Sequence, residues 1–162
     1  WYLLSCKLLA GVLVSVLQVY VFLLIAWLYG IEPPPLGYLA VLPALILAGL
    51  MLGAFGLLLS SVIRQLENFA GVMNFVIFPM FFASSALYPL WRVEQGSPWL
   101  ALVCWFNPFT HAVELIRFAF WEKITPLSLA VCLGCTVVFL AAAIIAYDPA
   151  RGMLIRRGGA GE

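Results

Sequence analysis

Four uninterrupted apolar stretches dominate the pattern of hydrophobic and polar positions along the chain. They cover approximately residues 8–29, 39–62, 69–87 and 127–147. A helix that crosses a bilayer needs about 20 predominantly apolar residues. Strands of a membrane barrel would instead alternate apolar and polar positions, and these stretches do not alternate. The pattern predicts an all-α fold, a polytopic transmembrane helical bundle with four spanning helices.

Prolines mark where the predicted helices are interrupted. The run from Glu32 to Pro35 predicts a short, stiff, non-helical loop between the first two spans. Pro79 lies inside the third stretch, where a missing backbone donor predicts a kink. Thr125 followed by Pro126 matches an N-cap and a first helical position, so the fourth span is expected to begin there.

The segment between the third and fourth spans is apolar but too broken to cross a membrane simply. Ser97-Pro98 and Asn107-Pro108 each predict the start of a helix, and both helices are too short to span alone. We predict a re-entrant helical hairpin over about residues 97–121, on the outer side of the membrane. The alternative is a pair of helices lying flat at the interface, where tryptophan is enriched. The tryptophans of this region are Trp91, Trp99, Trp105 and Trp121.

Composition supports a bilayer environment for the whole chain. Hydrophobic residues make up 65% of the chain and charged residues 9%, and the mean hydropathy is +1.12. Soluble domains carry roughly 25% charged residues. The net charge of +1 gives no electrostatic reason to expect nucleic acid as a partner. Residues 1–162 are therefore interpreted as a single transmembrane domain, and the start at Trp1 leads us to expect a fragment of a longer protein.

Lysine and arginine set the expected orientation, because they are enriched in cytoplasmic loops. The loop at residues 30–36 holds no Lys or Arg and is placed outside. Residues 148–162 are placed in the cytoplasm as a tail. The positively charged residues that this orientation places in the cytoplasm are Lys7, Arg64, Arg151, Arg156 and Arg157.

Few residues offer catalytic or energy-converting chemistry. Ion-driven carriers usually keep ionisable side chains within their spans, and these spans have almost none. No phosphate-binding loop of the Gly-x-x-x-x-Gly-Lys-Ser/Thr type is present, and His111 is the only histidine. Cys132 and Cys135 have redox or zinc spacing, but they lie in an apolar helix without a second pair and are interpreted as packing residues. We expect no cofactor and no metal, and an energy source in a partner.

Three residue groups are candidates for specific roles. Gly49, Gly53 and Gly56 share one helix face, where a neighbouring backbone can approach closely; packing within the chain is favoured over a subunit contact. A second group follows at three-residue steps in the hairpin: His111, Glu114 and Arg117.

The three hairpin residues predict a polar stripe on an apolar helix. Glu114 and Arg117 can pair at this spacing. A metal site at His111 and Glu114 would lack a third ligand. The stripe is interpreted as facing a partner subunit or a water-filled outer vestibule, because unpaired charge at the membrane face is costly.

The third group is a short polar turn between the second and third spans, made by Arg64, Glu67 and Asn68. It is either a solvated loop or a cytoplasmic docking point for a motor subunit.

Several of these stretches resemble the ABC-2 type permease family, the membrane subunits of ATP-driven exporters. The resemblance covers essentially the whole chain. Within the family, the sequence most resembles the group of nodulation lipo-oligosaccharide and daunorubicin exporters. The stretches that carry it are residues 7–11 (KLLAG), 53–61 (GAFGLLLSS), 74–82 (NFVIFPMFF), 85–90 (SALYPL), 97–100 (SPWL) and 107–117 (NPFTHAVELIR).

This resemblance implies that the chain holds the family's third to sixth helices and lacks the first two. It implies a homodimer or paired permease in the bacterial inner membrane, surrounded by lipid, with cytoplasmic ATPase subunits that couple through Arg64 to Asn68. The substrate would be an amphiphile, either lipid-like, a lipid-linked saccharide or a hydrophobic drug. The alternatives are a membrane-embedded transferase and a structural membrane protein without transport activity.

Overall fold

The computed structural model describes residues 2–30, 34–63 and 66–146, and for residues 66–69 it describes the backbone alone. Every regular element in this part of the chain is a helix, which confirms the all-α class. The helices are α1 (Tyr2–Leu28), α2 (Gly37–Val62), α3 (Leu66–Phe82), α4 (Leu90–Gly96), α5 (Pro98–Phe106), α6 (Pro108–Ala119) and α7 (Pro126–Ala146).

Three of these helices are long and apolar enough to cross a membrane. They are α1, α2 and α7, with 27, 26 and 21 residues. None of them carries an acidic residue, and their one basic residue is Lys7 near the start of α1. Such continuous apolar helices satisfy their backbone hydrogen bonds internally, as a bilayer requires. A polytopic helical bundle is therefore confirmed.

The third apolar stretch forms a shorter helix than the sequence predicts. The expected span covers residues 69–87, but α3 ends at Phe82 with 17 residues. Ser84 turns the chain here: its hydroxyl donates to the Phe81 carbonyl at 2.6 Å and accepts from the Ala86 amide at 3.2 Å. Side-chain hydrogen bonds of this kind compete with helical ones, so the apolar residues that follow leave the helix.

The segment after α3 contains a sharply bent helix pair. α5 and α6 meet at 84° across Asn107, and together they have the length and hydropathy of a broken span or a re-entrant loop. The short helix α4, which the sequence analysis did not anticipate, precedes them.

Helix α2 lies at the centre of the bundle and packs against α1, α6 and α7. The core uses small side chains, which let helix backbones approach closely where lipid provides no hydrophobic driving force. Cys132 of α7 is fully buried in this core, and Cys132 and Cys135 are both free thiols. The buried core residues are Ala44, Ala48, Met51, Ala112, Leu115 and Cys132.

Large apolar side chains cover the outside of the bundle. Leu13 of α1 is 73% exposed, Phe75 of α3 82% and Ile145 of α7 85%. Exposed apolar patches of this extent are uncommon on monomeric soluble proteins. They fit a surface whose solvent is lipid or a further protein helix.

Candidate functional site at the helical hairpin

Asn107 is the residue that joins the hairpin to α3. Its side-chain oxygen accepts from the Phe109 amide at 3.0 Å and caps the start of α6. Its Nδ2 donates to the Met80 carbonyl at 2.7 Å and the Ala83 carbonyl at 2.8 Å. The last carbonyls of a helix have no partner within the helix. One side chain therefore caps one helix and satisfies the end of another.

His111 satisfies the end of the neighbouring helix α5. Its Nε2 lies 2.9 Å from the Trp105 carbonyl oxygen, so Nε2 carries the proton and donates. The ring is 4% exposed and packs edge-on against Trp105, with centroids 6.1 Å apart. Nδ1 is buried without a partner in the described part of the chain. These contacts assign His111 a local structural role at the bend.

Arg117 binds the turn that follows α3. Its Nη2 donates to the Ser85 carbonyl at 2.8 Å, and the Ser85 hydroxyl donates to the Thr110 carbonyl at 3.4 Å. Glu114 lies half-buried between His111 and Arg117 and interacts with both electrostatically. Neither a hydrogen bond nor an ion pair of Glu114 is found among the residues that the structure describes.

The polar stripe therefore divides into two kinds of residue. His111 satisfies the Trp105 carbonyl at the end of α5, and Arg117 satisfies the Ser85 carbonyl in the irregular turn after α3. At membrane depth, non-helical backbone is tolerated only where such partners exist. Glu114 satisfies no backbone carbonyl and forms no hydrogen bond among the described residues.

We expect Arg117→Met to be far more harmful than Glu114→Gln. The first change leaves the Ser85 carbonyl without its donor, which costs about 1–3 kcal/mol for a buried group. The second removes no hydrogen bond found in the described residues. Unfolding in mixed micelles would measure both single variants and the double variant. A double variant that is more stable than Arg117→Met would show that the loss in Arg117→Met includes the cost of leaving the Glu114 charge uncompensated, and not the Ser85 hydrogen bond alone.

Two of the three candidate glycines of α2 pack against α1, and the third faces open space. A Cβ at Gly49 would lie 3.4 Å from a Val12 methyl, and a Cβ at Gly53 would lie 2.5 Å from a Leu8 methyl. A Cβ at Gly56 would meet nothing within 4 Å. Two of the three predicted packing glycines thus lie against α1. Beside them a groove of about 550 Å³ extends between α1 and α2 towards Met73 and Ile116.

Alanine substitutions should distinguish these glycines. Gly56→Ala should stabilise the chain by about 0.5–1 kcal/mol, because alanine is the better helix former and has room here. Gly53→Ala should gain less, since Leu8 must move. Thermal unfolding in detergent and the oligomeric state by light scattering would be measured together. A Gly56→Ala protein with a lower oligomeric state than the unaltered protein would mean that Gly56 contacts a second subunit.

The end of α6 is fixed by a left-handed turn. Glu122 has φ 58°, its amide donates to the Ala119 carbonyl at 3.0 Å, and the Lys123 amide donates to the Phe118 carbonyl at 3.0 Å. This pair of bonds is the Schellman helix ending, which usually places glycine at the left-handed position. The turn sets Phe120 against the buried Gly37 at the start of α2.

The predicted coupling turn is only partly visible. Arg64 lies outside the described residues, as do residues 31–33 and the predicted tail at 148–162. Glu67 and Asn68 belong to the first turn of α3, where only the backbone is described. Just three residues separate the end of α2 at Val62 from the start of α3 at Leu66.

Sequence reasoning identified Asn107 as a helix start but missed its contacts with α3, and it missed Ser85 and Gly37 altogether. Asparagine before proline at a break between apolar helices was the available signal for Asn107. For Ser85 and Gly37 the sequence holds no comparable signal, because their partners lie 32 and 83 residues away at Arg117 and Phe120.

Comparison with known proteins agrees with the helical architecture. The family model described as ABC-2 type transporter matches residues 1–121, about three quarters of the chain. The matched region includes α1 to α6 and therefore the whole hairpin network. No curated protein and no solved structure matches the chain. The chain thus belongs to the ABC-2 type transporter family, as a membrane-spanning permease component of an ATP-binding-cassette transporter.

Proposed function

We propose that this chain is the membrane part of an exporter that moves an amphiphile outward, driven by a separate cytoplasmic ATPase. The observation that carries the proposal is the family match over residues 1–121. The exporter operates in the bacterial inner membrane, as a homodimer or a pair of permeases. The substrate is lipid-like, a lipid-linked saccharide or a hydrophobic drug.

The distribution of charge supports an external energy source. The apolar helices α1, α2 and α7 contain one ionisable charge, Lys7, so they offer no relay for coupled ions. The sequence has no phosphate-binding loop of the P-loop type. ATP hydrolysis by a partner subunit supplies the free energy, and this chain is itself no enzyme.

The groove beside α1 and α2 supports an amphiphilic substrate. Its volume is about 550 Å³, within the roughly 300–1,000 Å³ of small-molecule sites. Leucine and valine side chains and the bare backbone of glycines dominate its lining, with Lys7 and Ser15 as polar members. An apolar chain fits the lining, and Lys7 suits an anionic or strongly polar head.

Coupling is assigned to the turn between α2 and α3, where Arg64, Glu67 and Asn68 meet the ATPase. The ATPase binds ATP, closes, and pushes this turn. Because α2 packs against α1, α6 and α7, a displacement of its end reaches the hairpin and the groove. ATP then shifts the population between two states that differ in affinity for the substrate.

Reversing the charges of the turn tests this assignment. We expect Arg64→Glu with Glu67→Arg to uncouple ATP hydrolysis from efflux, because the docking charges would repel their partners, while membrane insertion stays normal. The full-length permease and its ATPase are reconstituted in proteoliposomes, and both rates are measured side by side.

The matched control is Arg92→Glu with Glu94→Arg, which reverses an exposed pair on α4. That variant should keep the normal ratio of efflux to hydrolysis. If the turn variant also pumps at the normal ratio, the turn is an ordinary solvated loop and the coupling lies elsewhere.

A further inference from the structure

A second cavity lies where α1 ends, α2 begins and α6 ends. It has a volume of about 310 Å³, and we name it the Arg117 cavity. Apart from Arg117 its lining is aromatic or apolar. The residues that matter here are Phe22, Ala26, Tyr38, Arg117, Phe120 and Trp121.

Arg117 brings to this apolar cavity a cation that forms no ion pair among the described residues. A guanidinium has five N–H donors and stays charged in proteins. One hydrogen bond, to the Ser85 carbonyl, is found among the described residues, and no carboxylate forms an ion pair with Arg117 there. Glu114 acts on it only through space. A half-buried arginine in apolar surroundings is costly unless an anion or water meets its remaining donors.

The aromatic lining indicates the depth of the cavity in the bilayer. Tyrosine and tryptophan are enriched at the membrane–water interface, at the level of the lipid headgroups. Tyr38 and Trp121 line the Arg117 cavity, and Tyr38 also lines an adjoining apolar cavity of about 260 Å³ with Tyr20 and Trp27. The two cavities share Leu23 and Tyr38, so together they form an apolar path along α1 that starts beside a cation.

We propose that the Arg117 cavity binds a bilayer phospholipid. Its phosphate accepts hydrogen bonds from the free N–H groups of Arg117, for which arginine's planar fork is well suited. One acyl chain lies against Phe22 and Leu23 and continues along α1. The lipid thereby fills the space between α1 and the end of α6. This role is separate from transport and does not rest on the proposed substrate.

Two lipids and one soluble phosphate ester test the headgroup contact and the acyl-chain contact separately. The purified full-length permease is delipidated in detergent, and its thermal unfolding is followed with added dioleoylphosphatidylglycerol, dioleoylglycerol or soluble glycerol phosphate. The phospholipid should raise the melting temperature, and the two others should not. An equal shift with dioleoylglycerol would overturn the phosphate contact, and an equal shift with glycerol phosphate would overturn the acyl-chain contact.

Two variants test whether the phospholipid binds in the Arg117 cavity. Arg117→Gln removes the charge but keeps an N–H donor, and Ala26→Phe fills the cavity while Arg117 stays. Each should weaken the apparent affinity for the phospholipid about tenfold or more, because a charge-assisted contact or the chain's space is lost. Each shift is measured relative to the same variant without lipid, so a general loss of stability does not count as an effect.

The controls are Arg92→Gln on α4 and Ala10→Phe on α1, both at exposed positions outside the cavity. They should retain the full lipid-dependent shift. If Arg117→Gln does not fold, Ala26→Phe still decides the question. Unchanged lipid affinity in Ala26→Phe, or the same loss in Ala10→Phe, would overturn the proposal.

Discussion

Asn107→Ala should destabilise the protein more than any other single change in the hairpin. The asparagine caps α6 through the Phe109 amide and satisfies the Met80 and Ala83 carbonyls at the end of α3. Alanine can do neither. The bend of 84° between α5 and α6 then loses the contacts that hold it to the end of α3.

The expected cost combines two effects of known size. Loss of an N-cap costs about 1 kcal/mol. Each buried carbonyl left without a donor costs about 1–3 kcal/mol. For Asn107→Ala we therefore expect a decrease in the free energy of unfolding of about 3 kcal/mol or more. A loss of this size is a large fraction of the about 5–15 kcal/mol by which folded proteins are stable.

A second substitution separates the cap from the junction. Asn107→Ser keeps an N-cap oxygen but cannot donate to both carbonyls, so its loss should be smaller by about 1 kcal/mol, the contribution of the cap. Folded yield by size-exclusion chromatography and unfolding in mixed micelles would measure both variants. Asn74→Ala, at an exposed position of α3, is the matched control and should be nearly neutral. An Asn107→Ala protein as stable as this control would show that the junction does not hold the hairpin.

Gly37→Ala should give the second largest loss. A Cβ on Gly37 would overlap the Phe120 carbonyl oxygen and lie 3.3 Å from the Phe120 carbonyl carbon. These are backbone atoms of a turn fixed by its own hydrogen bonds, so they cannot rotate away as a side-chain tip can. The start of α2 must shift away from α6, and overpacking of this kind costs about 1–3 kcal/mol.

The sign of the effect is diagnostic, because alanine is a better helix former than glycine by about 1 kcal/mol. Gly56→Ala lies on the same helix in open space and should be stabilising. Gly37→Ala should instead lower the melting temperature and, because Tyr38 follows it, weaken phospholipid binding at the Arg117 cavity. If both substitutions raise the melting temperature, the close approach of α2 to Phe120 is not present in the folded protein.

The sequence by itself determined the class of the fold and the positions of the long helices. Apolar runs must be about as long as the bilayer is thick, and this requirement is local to each run. For that reason the predicted spans at 39–62 and 127–147 lie close to α2 (Gly37–Val62) and α7 (Pro126–Ala146). The sequence also shows that the chain has no nucleotide-binding loop and that its predicted spans contain almost no charged side chains.

The end of the third predicted span is a feature that the local hydrophobic pattern does not predict. Residues 83–87 are as compatible with a membrane helix as those before them, apart from two serines. Ser84 turns the chain after Phe82, and Asn107 and Arg117, from a later segment, supply the donors that the Ala83 and Ser85 carbonyls need outside the helix. Periodicity placed His111, Glu114 and Arg117 on one face. It did not predict that His111 and Arg117 bind backbone carbonyls of other segments.

Local signals therefore determined what each segment forms, and the tertiary structure decided which polar groups meet. A cap or a hydrophobic run depends on neighbours within a few residues, so it can be recognised in the sequence. Segments that are far apart in the chain meet at three places. These are the contact of Asn107 with Met80, the approach of Gly37 to Phe120, and the Arg117 cavity. Such contacts exist only once the helices have packed, because packing excludes the solvent and brings the unsatisfied backbone groups within reach of a side chain.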